Sequence, residues 1–121
     1  MDNKYESNAR VFQALSDPNR LMILEMLQSR ERCACEILAD LNIVQSTLSH
    51  HMKILNDSGL VDSRRHGKWI YYFLNKEVCE AVKDLLNEIT TISDNYAAQI
   101  DLTNECCNTA PSKVKQKREI L

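Results

Sequence analysis

Residues 35–74, CEILADLNIVQSTLSHHMKILNDSGLVDSRRHGKWIYYFL, decide the fold of this chain. They contain, in order, a short helix, a tight turn, a second helix with a polar face, and a hairpin with basic residues at its tip. This order is typical of a winged helix-turn-helix, which places one helix in the major groove of DNA. We therefore predict a mainly α fold with a small β-hairpin.

Hydrophobic periodicity over the rest of the chain predicts the element order α-α-α-α-β-β-α. Asp17 and Asn75 are expected N-caps, and Pro18 suits the first position of a helix. A turn is expected at Asn42-Ile43, and His66-Gly67 is the expected hairpin turn. The five predicted helices cover about 4–15, about 18 to the polar break at 30–32, 35–41, the segment from after the turn at 42–43 to about 58, and 76 to about 100. The two predicted strands are 60–65 and 68–74.

The composition fits one globular domain. The chain has 121 residues, of which 44% are hydrophobic and 26% charged. No apolar run could span a membrane, and the N-terminal residues lack the apolar core of a signal peptide. We therefore expect a cytoplasmic protein, with a domain over 1–102 and a flexible tail over 103–121. Its five cysteines are expected to stay reduced in that compartment, with plain buried thiols as the default and ligation or redox sensing as the alternative.

Charge is unevenly distributed along a chain whose net charge is −2. Residues 50–76 contain five lysines and arginines, two aspartates and all three histidines, whereas residues 77–105 contain seven acids and one lysine. A local basic surface on an acidic protein still attracts phosphate, because screening limits the field to about 10 Å at ordinary salt. The sequence thus predicts a basic surface at the hairpin.

The polar face of the fourth helix is the candidate DNA-reading surface. Glutamine binds adenine, serine and threonine are permissive, and lysine contacts phosphate or guanine. An ordinary solvated helix face is the alternative, and a solvated charged turn is the alternative at the hairpin tip. The candidate DNA contacts are Gln45, Ser46, Thr47, Ser49, His50 and Lys53 on the helix, and Arg64, Arg65, His66 and Lys68 at the tip.

The last predicted helix carries a long apolar stripe. Its members repeat every seven residues in two series, Val78-Leu85-Ile92 and Val82-Ile89-Tyr96. A sustained heptad stripe forms a seam between helices. Packing within the monomer is one explanation, but a dimer interface is favoured because the stripe is longer than a small core can cover. A dimer would hold two recognition helices about one DNA turn apart, which predicts a pseudo-palindromic operator.

Several motifs together resemble the ArsR/SmtB family of metal-responsive repressors. The similarity extends over about 5–100, and it is carried by ALSDPNRL (14–21), STLSHHMKIL (46–55), GLV (59–61), then Arg65, Gly67 and WIYY (69–72). It implies a homodimeric repressor that pairs through its first and last helices and leaves double-stranded operator DNA when an inducer binds. It implies no organic cofactor and no membrane partner.

The segment Cys33-Ala34-Cys35-Glu36-Ile37 is similar to the motif of arsenic-sensing family members, closest to repressors of arsenical resistance operons. Leu38 stands where the third cysteine of that motif belongs. As(III) and Sb(III) are soft and prefer three thiolates, so the similarity implies either ion as inducer, with one ligand missing. Cys106 or Cys107 could complete the set. Alternatively, those two chelate the ion while Cys33 or Cys35 is a spectator, or they are inert.

Spacing adds a mechanical expectation. Residues two apart point to opposite sides of a helix but to one side of an extended segment. Holding one ion between Cys33 and Cys35 is therefore expected to unwind the helix start and displace the recognition helix. A helix N-terminus also favours thiolates.

Other functions are weighed against this one. A thiol redox or persulfide sensor on the same fold is the main alternative, and a thiol-rich metal buffer or carrier is an alternative from another class. Zinc sensing is disfavoured because the last helix contains no histidine. An enzyme is not expected, since no nucleophile, base and oxyanion donor can be placed in one cleft and the chain has only two glycines.

Overall fold

The computed structural model describes residues 3–102, which divide into two compact units between Leu86 and Asn87. The elements are α1 (Lys4–Ala14), α2 (Pro18–Met26), β1 (Arg32–Cys33), α3 (Ala34–Leu41), α4 (Gln45–Ser58), β2 (Val61–His66), β3 (Trp69–Leu74), α5 (Lys76–Ile89) and α6 (Asp94–Leu102). The predicted winged helix-turn-helix class is confirmed. Within 3–102 no helix is long and apolar enough to cross a bilayer. The expected tail over 103–121, with Cys106 and Cys107, lies outside the described residues.

Side-chain caps fix where the helices begin. The Asp17 carboxylate accepts hydrogen bonds from the backbone N–H groups of Asn19 (2.9 Å) and Arg20 (3.2 Å), and Pro18 follows it at the first helical position. Asn75 accepts from the N–H of Val78 at 3.0 Å and so caps α5. Both predicted caps are confirmed, because each side chain satisfies an N–H group that the first turn leaves unpaired.

The core of the first unit lies beneath the helix-turn-helix. Three of the buried side chains of this core come from α4, so one face of the helix packs against the core and the opposite face lies in solvent. Burying an aliphatic side chain of this size contributes about 1.5–3 kcal/mol. The buried core residues are Ala14, Ile23, Leu27, Ile37, Leu48, Met52, Leu55, Leu60 and Val61.

A short strand, β1, was not predicted. It joins the hairpin in an antiparallel sheet of order β1-β3-β2, with Arg32 opposite Tyr72 and Cys33 opposite Tyr71. The sequence analysis expected a polar break here, because two residues carry no periodicity. Tertiary contact supplies the pairing instead, and the Arg32 guanidinium ties the segment to the Met26 carbonyl at 3.0 Å.

The hairpin turn lies one residue later than predicted. Gly67 and Lys68 form the two-residue turn, and His66 still pairs with Trp69. Gly67 takes φ 63°, a positive value that glycine adopts without steric cost and that suits the first turn position. His66 therefore ends β2, and Lys68 belongs to the turn rather than to the return strand.

The predicted continuous last helix is wrong, because α5 ends at Ile89 and α6 begins only at Asp94. Thr90, Thr91 and Ile92 are β-branched, a type with restricted rotamers in helices, and the Thr91 hydroxyl donates to the backbone carbonyl of Asn87. Ser93 then accepts from the backbone N–H of Tyr96 at 3.3 Å, as an N-cap does. These local preferences explain why a regular apolar period did not yield one helix.

The heptad stripe is consequently divided. Val78 and Val82 pack against the core of the first unit, which is the intramonomer explanation. In the second unit, Ile89, Ile92 and Tyr96 are 58%, 54% and 55% exposed.

Candidate nucleic-acid interface and thiol site

The two faces of α4 differ as the sequence analysis predicted. Leu48, His51, Met52 and Leu55 are buried. Of the candidate contacts on this helix, Thr47 is half-buried and the others lie on the exposed face. The exposed candidates are Gln45, Ser46, Ser49, His50 and Lys53.

A polar cluster anchors α4 from behind. The Arg20 guanidinium donates to the carbonyls of Ala14 (2.8 Å) and Gln13 (3.1 Å) and lies 3.1 Å from Nδ1 of the buried His51. Because a guanidinium has no acceptor, the His51 Nδ1 must accept, which assigns the proton of the neutral ring to Nε2. His51 Nε2 in turn lies 3.8 Å from the Asp17 carboxylate. The end of α1, the start of α2 and the middle of α4 are thereby joined.

The hairpin formed by β2, β3 and their turn is the wing. Arg64, Arg65, His66 and Lys68 are all exposed, as predicted. The Lys68 ammonium lies 5.4 Å from the Trp69 ring centroid, a cation–π contact at the wing tip. Together with the polar face of α4, the wing presents cations and short hydrogen-bonding side chains to solvent.

Arg64 differs from the other wing cations because it has an acidic partner. Its Nε donates to Glu31 Oε2 at 2.9 Å, and its Nη2 also bonds the second oxygen of that carboxylate. The guanidinium lies 4.7 Å from the Tyr71 ring centroid. The hydrogen bonds from Arg64 hold the pKa of Glu31 below its ordinary value, so Glu31 is a carboxylate at neutral pH.

Cys33 and Cys35, the thiol pair, lie at the junction of β1 and α3. Both are free, Cys33 is buried and Cys35 exposed, and their sulfurs are 2.7 Å apart. Soft ions bind thiolates at about 2.3 Å, so sulfurs up to about 4.6 Å apart can contact one ion. The two sulfurs therefore lie close enough for one soft ion to contact both once they move slightly apart.

The expectation that the helix start must unwind to bring the sulfurs together is wrong. Cys33 is the N-cap of α3, with extended backbone angles of φ −71° and ψ 149°, and only Cys35 lies within the helix. The change from strand to helix between them places both sulfurs on one side. Ion binding at the pair thus needs no prior loss of helix.

The expectation of a favoured thiolate is also wrong for Cys35. The hydrogen bond with Cys33, together with partial burial and the charge that Cys33 would carry, raises the pKa of Cys35 above its ordinary value. Backbone N–H groups at the helix start, those of Glu36 and Cys35 itself, act in the opposite direction but do not prevail. A thiol that donates to a neighbouring sulfur gives up its proton less readily.

A capping box surrounds the pair. The Cys33 sulfur accepts from the N–H of Cys35 at 3.4 Å, and the Glu36 carboxylate accepts from the N–H of Cys33 at 3.0 Å. Arg30 donates to the same carboxylate at 2.6 Å. The hydrogen bonds that Glu36 accepts from the Arg30 guanidinium and the Cys33 N–H lower the pKa of Glu36 to about 2.

No third ligand is present beside the pair among residues 3–102. In this range no three histidine, cysteine, aspartate or glutamate side chains gather as a metal site would require. Cys79 is half-buried on α5, where its thiol faces the Leu60 carbonyl at 4.0 Å and burial raises its pKa.

Comparison with known proteins agrees with this architecture. The sequence model of a protein family, the bacterial regulatory proteins of the ArsR family, matches residues 17–63. An arsenical resistance operon repressor of Staphylococcus xylosus is 38% identical over 102 residues, which cover 84% of this chain and 98% of the relative. The chain belongs to the ArsR family. It is a DNA-binding transcriptional repressor of that family, not an enzyme.

Solved structures of the family agree with the fold. A crystal structure of an ArsR family transcriptional regulator matches with a TM-score of 0.65 at 27% identity, covering 73% of this chain and 91% of the other. A possible ArsR-family regulator from Mycobacterium bovis, solved as a homodimeric winged helix-turn-helix DNA-binding domain, matches with a TM-score of 0.60 at 27% identity, covering 83% and 85%.

Sequence reasoning missed three of the residues that shape this ArsR-family site. Glu36 follows Cys33 by three, the spacing of a capping box, so a signal was available had cysteine been treated as a cap. Glu31 carried no signal, and Tyr71 was named only as a member of the WIYY motif, without a role. Their roles depend on β1, which periodicity cannot detect.

Glu36→Gln offers a test of the capping box through pH. The carboxylate has a folded-state pKa of about 2 against an ordinary 4.5, so it stabilises the fold above pH 4.5 and that stability is lost as the pH falls toward 2. Glutamine can still accept from the Cys33 N–H but cannot pair ionically with Arg30. We expect the variant to unfold in urea with a weaker pH dependence between 4.5 and 2. Equal slopes for both proteins would contradict this assignment.

Proposed function

We propose that this repressor senses As(III) or Sb(III) through the thiol pair and leaves its operator when the ion binds. One observation carries the proposal: the sulfurs of Cys33 and Cys35 are 2.7 Å apart at the start of α3, the helix that directly precedes the recognition helix α4. Several similar proteins are named arsenical resistance operon repressors, which supports a metal or metalloid inducer.

The DNA-binding surface proposed here combines the exposed face of α4 with the wing. α4 would enter the major groove, where Gln45, Ser49 and His50 reach base edges. Arg65 and Lys68 would contact phosphate from the wing, and Lys53 would do so after leaving Asp57, with which it now pairs at 3.2 Å. Net charge does not oppose this, because the acids of the chain concentrate after the wing.

Completion of the ion site falls to the C-terminal thiols in this proposal. The fit of the thiol pair is partial, since a soft trivalent ion takes three thiolates and residues 3–102 gather only two sulfurs. Cys106 or Cys107, of either subunit, would supply the third. The ion thereby joins the start of α3 to a distant part of the chain.

Competition for the Cys33 sulfur provides a route from binding to release. In the free protein this sulfur caps α3 by accepting from the Cys35 N–H. An ion that takes up the sulfur lone pairs weakens that cap, and an N-cap contributes about 1 kcal/mol to a helix. α3 leads through Asn42, with its left-handed φ of 56°, directly into α4. A disturbed α3 start would therefore alter the placement of the recognition helix.

A redox or persulfide sensor stays the second candidate, and the adjacency of two free thiols favours it as well. Oxidation proceeds through the thiolate, however, and the raised pKa of Cys35 makes that form scarcer at neutral pH. A soft ion displaces the proton, so ligation is less affected. A metal buffer or carrier gains no support, because the chain belongs to a family of DNA-binding regulators.

Dimerisation through the first and last helices is part of the proposal. A homodimeric structure of similar fold supports it. On α1, Tyr5 is 70% exposed, and the second unit exposes Ile89 and Tyr96. Apolar side chains of this size are common where subunits meet.

Cys33→Ser and Cys35→Ser test the ion site. Serine preserves the size and, at position 33, the capping ability, so we expect unchanged operator affinity and loss of arsenite-induced release. Fluorescence anisotropy of a labelled promoter fragment, titrated with arsenite in excess reductant, measures both. Cys79→Ser is the matched control and should respond like the unmodified protein. An undiminished response in both variants would eliminate the site, and release only after oxidation would favour the redox alternative.

Ser49→Ala combined with His50→Ala tests the recognition face. Loss of base contacts worth about 1–3 kcal/mol should weaken operator binding by about tenfold or more while leaving random DNA nearly unaffected. Lys53→Gln is the comparison, since a phosphate contact should be lost equally on both duplexes. If the double variant also lost affinity equally on both duplexes, its residues would contact phosphate instead of bases.

Ile89→Asp tests the dimer interface. Burying an unpaired carboxylate at the contact should raise the dimer dissociation constant by at least about tenfold. Sedimentation at several concentrations measures it. Asn87→Asp adds the same charge two residues away on α5 and should leave the dimer intact. Identical sedimentation of both variants would place the interface elsewhere.

A further inference from the structure

The wing contains one cation whose charge is already neutralised. Arg64 bonds both oxygens of Glu31, whereas among residues 3–102 neither Arg65 nor Lys68 lies in an ion pair with an acidic side chain. Arg64 and Arg65 are neighbours on β2, so their side chains leave the sheet on opposite faces. The paired arginine thus belongs to a different face of the wing from Arg65.

Three elements fix the position of this pair. Arg64 lies opposite Tyr71 in the β2–β3 register, and Tyr71 lies opposite Cys33 in the β1–β3 register. Glu31 immediately precedes β1, and its backbone carbonyl accepts from Arg30 at 3.0 Å. Sheet pairing, rather than local chain proximity, brings the two charges together.

The guanidinium is oriented as well as neutralised. Its centre lies 4.7 Å from the Tyr71 ring centroid, and two of its nitrogens, Nε and Nη2, donate to the Glu31 carboxylate, so its contacts with both residues orient the fork. The same fork geometry suits a phosphate and a carboxylate equally. The pair is nevertheless accessible, with Arg64 47% and Glu31 37% exposed, so an incoming anion can reach it.

We propose that Glu31 is a positioning residue of the DNA interface that competes with DNA phosphate for Arg64. In the free protein its carboxylate occupies the position on the guanidinium that a phosphate takes in the complex. The proposal rests on the proposed DNA-binding surface, but it does not involve the thiol pair. Glu31 therefore lowers affinity for DNA of any sequence, while it keeps Arg64 in the orientation that phosphate requires.

Competition has a measurable size and sign. Exposed ion pairs are weak, so removing the competitor should tighten DNA binding by about two- to fivefold. Removing Arg64 should weaken binding and reduce the slope of log K against log salt by about one, as the loss of one phosphate contact does. The Glu31 substitution should have no such benefit once Arg64 is absent.

A double-mutant cycle on the full chain in excess reductant, without arsenite, tests the proposal. Glu31→Gln, Arg64→Gln and their combination are compared on a promoter fragment and on a random duplex over a range of salt concentrations. Glu80→Gln is the matched control, because Glu80 forms a similar exposed pair with Lys83 on α5. Any gain that Glu80→Gln shows is the general effect of removing one negative charge. Arg65→Gln reports on the wing itself.

We expect Glu31→Gln to bind both duplexes more tightly, by more than the Glu80→Gln control does. Arg64→Gln should bind DNA more weakly and with a smaller salt slope. Adding Glu31→Gln to Arg64→Gln should give no further gain in affinity. If Glu31→Gln and Arg64→Gln change thermal stability but leave affinity and salt slope unaltered while Arg65→Gln weakens binding, the pair is purely structural and the inference fails. If Arg65→Gln is also without effect, the proposed DNA-binding role of the wing fails instead. If Glu31→Gln bound DNA more weakly, the proposal that Glu31 competes with phosphate for Arg64 would be wrong.

Discussion

The antiparallel pairing of β1 with β3 is the constraint on which the site depends. Cys33 lies opposite Tyr71, and at the same residue the backbone changes from strand to helix. One sulfur is thereby fixed at the sheet edge, and the other follows two residues later on the first turn of α3. Without this pairing the segment from Arg30 to Cys35 would be an ordinary surface loop, and neither the sulfur adjacency nor the reach of Glu31 to Arg64 would exist.

The electrostatic surroundings of the thiol pair follow from the same geometry. Each carboxylate that flanks it, Glu31 and Glu36, bonds an arginine. These pairs keep negative charge from accumulating next to two sulfurs that must lose protons to bind an ion. Because the pairs are exposed, they define local geometry more than they add to overall stability.

Much of the fold followed from the sequence, and particular residues explain the rest. Asp17, Asn75 and the buried face of α4 were predicted because caps and helical periodicity are local properties. β1 was not, since two residues have no period and their pairing is decided by a partner some forty positions away. The last helix was predicted too long because its heptad pattern continues through Thr90–Ser93. There, β-branched side chains and a new N-cap interrupt the helix.

The exposure of the candidate site residues was predictable from the sequence, and their interactions with neighbouring side chains were less so. The candidate DNA contacts are exposed apart from Thr47, as an amphipathic pattern implies. What spacing could not show was that Cys33 lies just outside α3, so the sulfurs meet without distortion, or that Arg64 already holds an anion. Both depend on backbone angles and long-range contacts that no local pattern encodes.

The Arg20 cluster has a mechanical consequence. One guanidinium fastens the final carbonyls of α1 to the ring of His51, and the adjacent Asp17 closes the start of α2. Because these contacts link α1, α2 and α4, we expect the three helices to move together as one rigid body. A displacement of the recognition helix α4 would then carry the end of α1 and the start of α2 with it.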